Sequence, residues 1–231
     1  MKRLLVLLLT CLSLLATSAS FGQIRAAKIN LASAATGTVS LSFEHVRKKQ
    51  FAWQATIHYR PSLKGPNFLF NRTEEGWSLN DSKSQVIGGQ LSYRWYTRKG
   101  RTQPTKPYFA LFGQTQHWST QLNYQFDGEV YQLDGNWSQQ TFGLQYGVQW
   151  VIQDKWSIDL TLVGFGLAIG QLSGEATTPQ DGNIGFWEES LGKIPFVGQR
   201  ILLEGTEGDY QLSQQYTTIG LHTALRIGIL F

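Results

Sequence analysis

From Thr218 to the end of the chain, Ile219, Leu221, Thr223, Leu225, Ile227, Ile229 and Phe231 alternate with Thr218, Gly220, His222, Ala224, Arg226 and Gly228. Successive side chains of a strand leave on opposite faces, so a period of two reads as a strand with one apolar face. The same period runs through 38–46, 51–60, 86–97 and 141–151, with Phe51, Trp53, Ile57, Leu91, Trp95, Phe142, Leu144 and Trp150 on the apolar parity. The chemistry of the other parity constrains the fold. It carries Gln, Ser, Thr and Gly with few charges. A soluble sandwich buries a narrow apolar interior and turns a charged face to water. Long apolar faces that end in aromatics, backed by small and polar residues, describe a strand with lipid outside and a crowded lumen inside. Only 16% of residues are charged, against roughly 25% in soluble domains. No run after residue 23 comes near 18 consecutive apolar residues, so membrane helices are excluded.

Seven strands follow from this parity: Thr38–Val46, Phe51–Arg60, Gln85–Thr97, Pro107–Tyr124, Val130–Ile152, Trp156–Gln171 and Tyr210–Phe231. In the sixth the apolar parity slips after Leu162. A bulge near Val163–Gly166 or a continuously apolar strand end accounts for the slip equally well. Short turns at Arg47–Gln50, Gly100–Lys106 and Gln153–Lys155 alternate with connections expected to be longer, at about Pro61–Lys83, near Asp127-Gly128 and at about Ser173–Asp209. Single-chain bacterial barrels have even strand numbers and short turns on one side. An eighth strand is therefore expected at Arg25–Ser33, turning through Ala34–Gly37. The fold expected is an all-β, eight-stranded, antiparallel, up-and-down transmembrane barrel with a long extracellular loop. A secreted soluble all-β binding protein is the alternative.

Lys2 and Arg3, the apolar stretch Leu4–Leu15 and the small residues that follow read as a secretory signal peptide over 1–22, leaving 23–231 as the barrel. Cleavage fits after Ala19 or after Gly22. Cys11 lies within the apolar stretch, so the mature chain is expected to lack cysteine. Removing Lys2 and Arg3 takes the formal charge from +4 to +2. With no basic cluster, nucleic acid is not an expected partner.

Phe51, Trp53, Trp95, Tyr108, Phe109, Trp150, Trp156 and Phe231 stand at strand ends beside the short turns, where an aromatic girdle is expected. The final residues Leu225, Ile227, Ile229 and Phe231 resemble the signal by which outer-membrane proteins are recognised by the barrel assembly machinery. Lys28-Ile-Asn-Leu, Gly37-Thr-Val-Ser-Leu and Phe43-Glu44 resemble the start of a family of small bacterial outer-membrane barrels of uncharacterised function. In general form the mature chain is similar to eight-stranded outer-membrane barrels. That resemblance implies a Gram-negative outer-membrane location, with membrane lipids and the assembly machinery as partners. It implies no activity.

Glu44, His58, Arg60, Arg94, Asp159, His222 and Arg226 fall on the inward parity. Buried charges must be paired, so these residues are expected to form a polar network that fills the lumen, with Glu44 paired to Arg94 or Arg226. None of the histidines His45, His58, His117 and His222 has another at metal-ligand spacing, and neither metal nor cofactor is expected. His117-Trp118-Ser119 with Glu129 has the residue types of a lipid-deacylating barrel enzyme, because a serine nucleophile needs a histidine base and an orienting acid. The context and spacing fit poorly, and no enzyme is expected. The 173–209 loop carries Phe186, Trp187 and Phe196, apolar enough to cover the barrel mouth or to meet an extracellular partner. A structural, adhesive or partner-binding role is therefore expected, with a lipid-modifying enzyme or a small-solute channel as alternatives.

Overall fold

A computed structural model describes residues 25–48, 50–64, 77–97, 105–126, 129–177, 202–206 and 209–231. The strands are β1 (Arg25–Asn30), β2 (Val39–Lys48), β3 (Phe51–Lys64), β4 (Trp77–Tyr96), β5 (Thr105–Phe126), β6 (Glu129–Ile152), β7 (Trp156–Thr177), β8 (Leu202–Thr206) and β9 (Asp209–Leu230), with one helical turn, α1 (Leu31–Ala34), between β1 and β2. From β1 to β7 each strand pairs antiparallel with the next, β7 pairs with β9, and β1 returns to β9 to close the ring. β8 adds a short edge to the start of β9. The ring itself thus has the eight strands expected.

Ring closure is quantitative. Stepping across paired residues from Ile227 leads to Ile29, Leu41, Ile57, Gly89, Thr115, Gln140, Ile169 and back to β9 at Thr217, ten residues from the start. This stagger is the barrel's shear, and it requires strands tilted by about 35–45° around an interior just wide enough for side chains. The burial pattern is inverted as the alternation demands. Outward Ile57, Leu91 and Leu221 are 67%, 63% and 82% exposed, whereas inward Arg94, Arg226 and Asp159 are fully buried.

The slip in β7 is a bulge. Thr161 and Gly164 pair with Ala224 and His222 of β9, so Leu162 and Val163 oppose Thr223 alone, and both face outward. The Ile152–Lys155 turn is tight: Lys155 N–H donates to the Ile152 carbonyl at 3.1 Å, and Gln153 and Asp154 have φ of 52° and 53°. That pair of left-handed residues is the hairpin geometry whose twist matches its strands.

Several boundaries differ from expectation, mostly at the end of the barrel away from the termini. β1 stops at Asn30, whose side chain accepts from the Ala32 N–H at 3.1 Å and caps a helical turn, so residues 31–33 are not strand. β4 begins at Trp77 and β7 reaches Thr177. Phe126 pairs with Glu129, so the connection at 127–128 is two residues long and the length lies in the strands. The 173–209 segment is not all loop, because β7 enters it and β8 lies inside it. The N-terminal segment through residue 24 lies outside the described residues. The wall is low at β1 and β2. Among the described residues, β9 pairs on that side only with β1 at 226–230 and β8 at 209–213, which leaves Ile219 and Leu221 the most exposed apolar side chains.

Candidate functional site

The inward residues form three storeys. Nearest the termini, Lys28 from β1, Glu44 from β2, Arg94 from β4 and Asp159 from β7 meet in a layer of side chains no more than 1% exposed. Lys28 Nζ donates to Glu44 Oε2, and to Asp159 Oδ2 at 2.8 Å. Arg94 Nη1 donates to Asp159 Oδ2 at 2.7 Å and lies 3.5 Å from Glu44 Oε2. Tyr108 on β5 donates to Asp159 Oδ1 at 2.8 Å. Its ring lies 4.3 Å from the Arg94 guanidinium carbon, a cation–π contact. The Tyr96 hydroxyl sits between Glu44 Oε1 and Gln149 Oε1, the latter at 2.6 Å, and Gln149 Nε2 continues to Ser157 at 2.8 Å. A buried ion pair overcomes its desolvation cost only when the geometry is good and further hydrogen bonds satisfy its atoms. Here both carboxylates receive two cations and a phenol.

Small residues make the layer fit. A Cβ on Gly147 would lie 2.5 Å from the Tyr108 hydroxyl and 2.5 Å from the Leu160 carbonyl. The glycine admits the phenol and lets β6 approach β7. Gly147→Ala is expected to destabilise the barrel by about 1–3 kcal/mol, as overpacking of a tight interior does. The urea midpoint in detergent checks it, and a midpoint unchanged from wild type would show that Tyr108 moves without cost.

The middle storey holds His58, Gln90, Ser92, Gln145 and His222. His58 Nδ1 is 2.7 Å from Ser40 Oγ, and the His222 ring packs 5.8 Å from Phe112. Arg226 reaches this storey from below, and its Nη1 donates to Thr161 Oγ1 at 3.0 Å. Higher still, the rings of Trp118 and Trp137 stack at 4.8 Å. Trp137 Nε1 donates to the Tyr216 hydroxyl, which donates to Gln139 at 3.0 Å.

Of the seven residues expected in the lumen, Glu44, Arg94 and Asp159 meet in one layer and Arg226 stands beside it. His58 and His222 lie in the storey above. Arg60 is half-buried and donates to Ser84 of β4. Glu44 does lie beside Arg94. The alternative partner is corrected: Arg226 makes no ion pair with Glu44 and turns to Thr161 instead. Lys28, the nearer cation, was not expected, nor were Tyr96 and Tyr108. Tyr108 belongs inside the lumen rather than in the girdle, because the girdle position is taken by its neighbour Phe109. Carrying the period of two back through β1 finds Lys28, which shares a parity with Ala26 and Asn30, all buried, opposite Ala27, Ile29 and Leu31.

Leu225, Ile227, Ile229 and Phe231 face outward and are exposed. His117 and Ser119 also face outward, but His117 Nδ1 lies 2.8 Å from Ser138 Oγ across the strand pair rather than engaging Ser119. Phe186, Trp187 and Phe196 lie outside the described residues. Among the described residues no three His, Cys, Asp or Glu side chains gather as a metal site.

A solved structure with likeness to this chain is a major outer membrane protein from Thermus thermophilus. It is 9% identical, with 91% of this chain and 100% of that chain covered and a TM-score of 0.43. No curated protein matches the sequence. The model of a family described as proteins of unknown function, DUF3575, matches residues 5–174, a segment that contains all four charges of the lumen layer, and the chain belongs to that family.

Proposed function

We propose that this protein is a barrel of the Gram-negative outer membrane with a closed lumen, and that its role is structural, adhesive or partner-binding through the loops at its far end. The reading of location rests on the exposed apolar belt, on both described ends of the barrel wall lying at the same rim, and on the basic and apolar N-terminal sequence. A belt of this kind on tilted strands matches a bilayer core. Lipids of that membrane and its barrel assembly machinery are the partners this reading requires.

The closed lumen rests on one observation, the layer of Lys28, Glu44, Arg94 and Asp159. Its hydrogen bonds run from β1 to β2, β4 and β7, and Tyr108 and Gln149 extend it to β5 and β6. An ion crossing the barrel would have to part these pairs. Purified protein in planar bilayers is therefore expected to give no discrete conductance steps, while the same preparation fractionates with outer membranes and migrates differently on gels before and after heating. Reproducible unitary conductance would overturn the closed-lumen reading. Loss of lipid acyl chains in cells, abolished by His117→Ala or Ser119→Ala, would replace the structural role with an enzymatic one.

A further inference from the structure

We propose that the middle storey of the lumen is a binding site for a small monoanion of halide size, built around Arg226. The charge inventory comes first. The buried layer and its neighbour hold three cations, Lys28, Arg94 and Arg226, against two carboxylates, Glu44 and Asp159. Both carboxylates are engaged by Lys28, Arg94 and the tyrosines, and among the described residues Arg226 has no carboxylate within ion-pair distance. A fully buried guanidinium with no ion pair of its own is costly, and Asp159, its register partner on β7, is already engaged by Lys28 and Arg94.

Unmet donors are the second, independent observation. Among the described residues, Arg226 Nε and Nη2 have no partner, and neither do Ser92 Oγ, His58 Nε2, His222 Nε2 or any side-chain polar atom of Gln90 and Gln145. Arg226, Ser92, His58, Gln90 and Gln145 are each at least 95% buried. Native interiors leave few such groups unpaired, and a cluster of them marks a place for something the chain does not itself supply. These groups are neighbours. His222 pairs with Gly164, and a Cβ on Gly164 would lie 2.9 Å from Gln145 Cγ and 3.2 Å from His222 Cβ. His58 and Gln90 stand on adjacent strands, two residue pairs apart along the β3–β4 register and on the same inward face. His222 and Arg226 share the inward face of β9, with Ala224 between them.

The donor set decides the sign of the ligand. Ser40 Oγ and Nδ1 of His58 are hydrogen-bonded, and in the tautomer in which the hydroxyl donates, the ring proton sits on Nε2 and makes it a donor into the storey. The glutamine amides and the Ser92 hydroxyl donate as well. A cation would meet Arg226 without a free carboxylate to hold it. Size follows from the barrel, because an eight-stranded lumen is filled by its own side chains. The ion layer closes it below and the Trp118–Trp137 stack narrows it above, so a monatomic anion fits better than a phosphate ester. Water would satisfy the donors but would not neutralise the guanidinium.

The test uses the full mature chain in detergent, with bromide as the probe. The temperature at which the compact gel species is lost is expected to rise by about 3–8 °C when gluconate is replaced by bromide at equal ionic strength, since a ligand of the folded state stabilises it by mass action. A crystal soaked in bromide is expected to show an anomalous peak beside Arg226. Arg226→Gln is expected to abolish both effects. Gln90→Glu places a carboxylate in the storey and is expected to fold with an anion-independent midpoint, which keeps the test decisive even where the arginine variant fails to fold. A wild-type midpoint equal in gluconate and bromide, with only water density beside Arg226, would overturn the proposal without touching the closed-lumen reading.

Discussion

Asp159→Asn is expected to lower the stability of the barrel by about 3–5 kcal/mol, the cost of breaking a buried ion pair by removing one partner. The sign follows from the inventory. Asp159 accepts from Lys28, Arg94 and Tyr108 at 2.8, 2.7 and 2.8 Å. Neutralising it leaves Lys28, Arg94 and Arg226 around Glu44 alone, all of them buried. The amide nitrogen also presents hydrogens to a site whose neighbours are donors. Glu44→Gln is expected to act in the same direction but less, because Arg94 lies 3.5 Å from Glu44. Cation removal should not mirror this. Arg226→Gln takes away the guanidinium that lacks a carboxylate and is expected to cost far less than Asp159→Asn. Urea unfolding in detergent, followed by tryptophan fluorescence, measures all three. Asp159→Asn within 1 kcal/mol of wild type would mean that water already screens the layer, and the lumen could not then be held shut by these charges.

How much of this is legible in sequence depends on the contrast between the two faces of each strand. Between Phe51 and Tyr59 the outward residues are apolar or small and the inward ones are mostly polar and face the lumen, so hydropathy alternates and the strand is plain. Beyond the belt both faces of a strand meet polar surroundings. Thr115 to Gln125 and Gln132 to Gln140 pair across β5 and β6, yet show little contrast between parities. Strand ends at the far rim are therefore read short, by four residues in β3, eight in β4 and six in β7, and by two or fewer in β5 and β6.

The candidate site was legible where a charge sat on an established inward parity, as with Glu44, Arg94, Asp159 and Arg226. It was lost where parity was not carried through. Lys28 lies on a six-residue strand too short to show its own period. Tyr108 precedes an outward aromatic, Phe109, and its place beside a short turn assigns both to the girdle, while Tyr96, on the inward parity with Arg94, carries no charge to single it out. Heights along the barrel were beyond reach, because they depend on the ten-residue stagger. That stagger explains why Glu44 meets Lys28 and Arg94 but not Arg226.

Phe231→Ala is expected to separate stability from assembly. Phe231 closes the seam: its N–H donates to the Arg25 carbonyl at 2.9 Å, and its own carbonyl accepts from Arg25 N–H at 3.0 Å. Alanine keeps both bonds and loses the ring, which packs 6.3 Å from the ring of Phe43. In detergent the variant should refold with a loss of about 1 kcal/mol, the size of one aromatic pair. In cells the expectation is different. Phe231 is 48% exposed at the end of an apolar parity, so about half of it makes no contact within the fold. Assembled protein in the outer membrane should collapse relative to wild type, with the chain accumulating unfolded in the periplasm. Phe43→Ala supplies the control, since it removes the same ring contact and leaves the terminus intact. It should assemble normally at a similar cost in detergent. Equal assembly of the two variants would make Phe231 a packing residue and no more, because the only property that separates them is the identity of the last side chain.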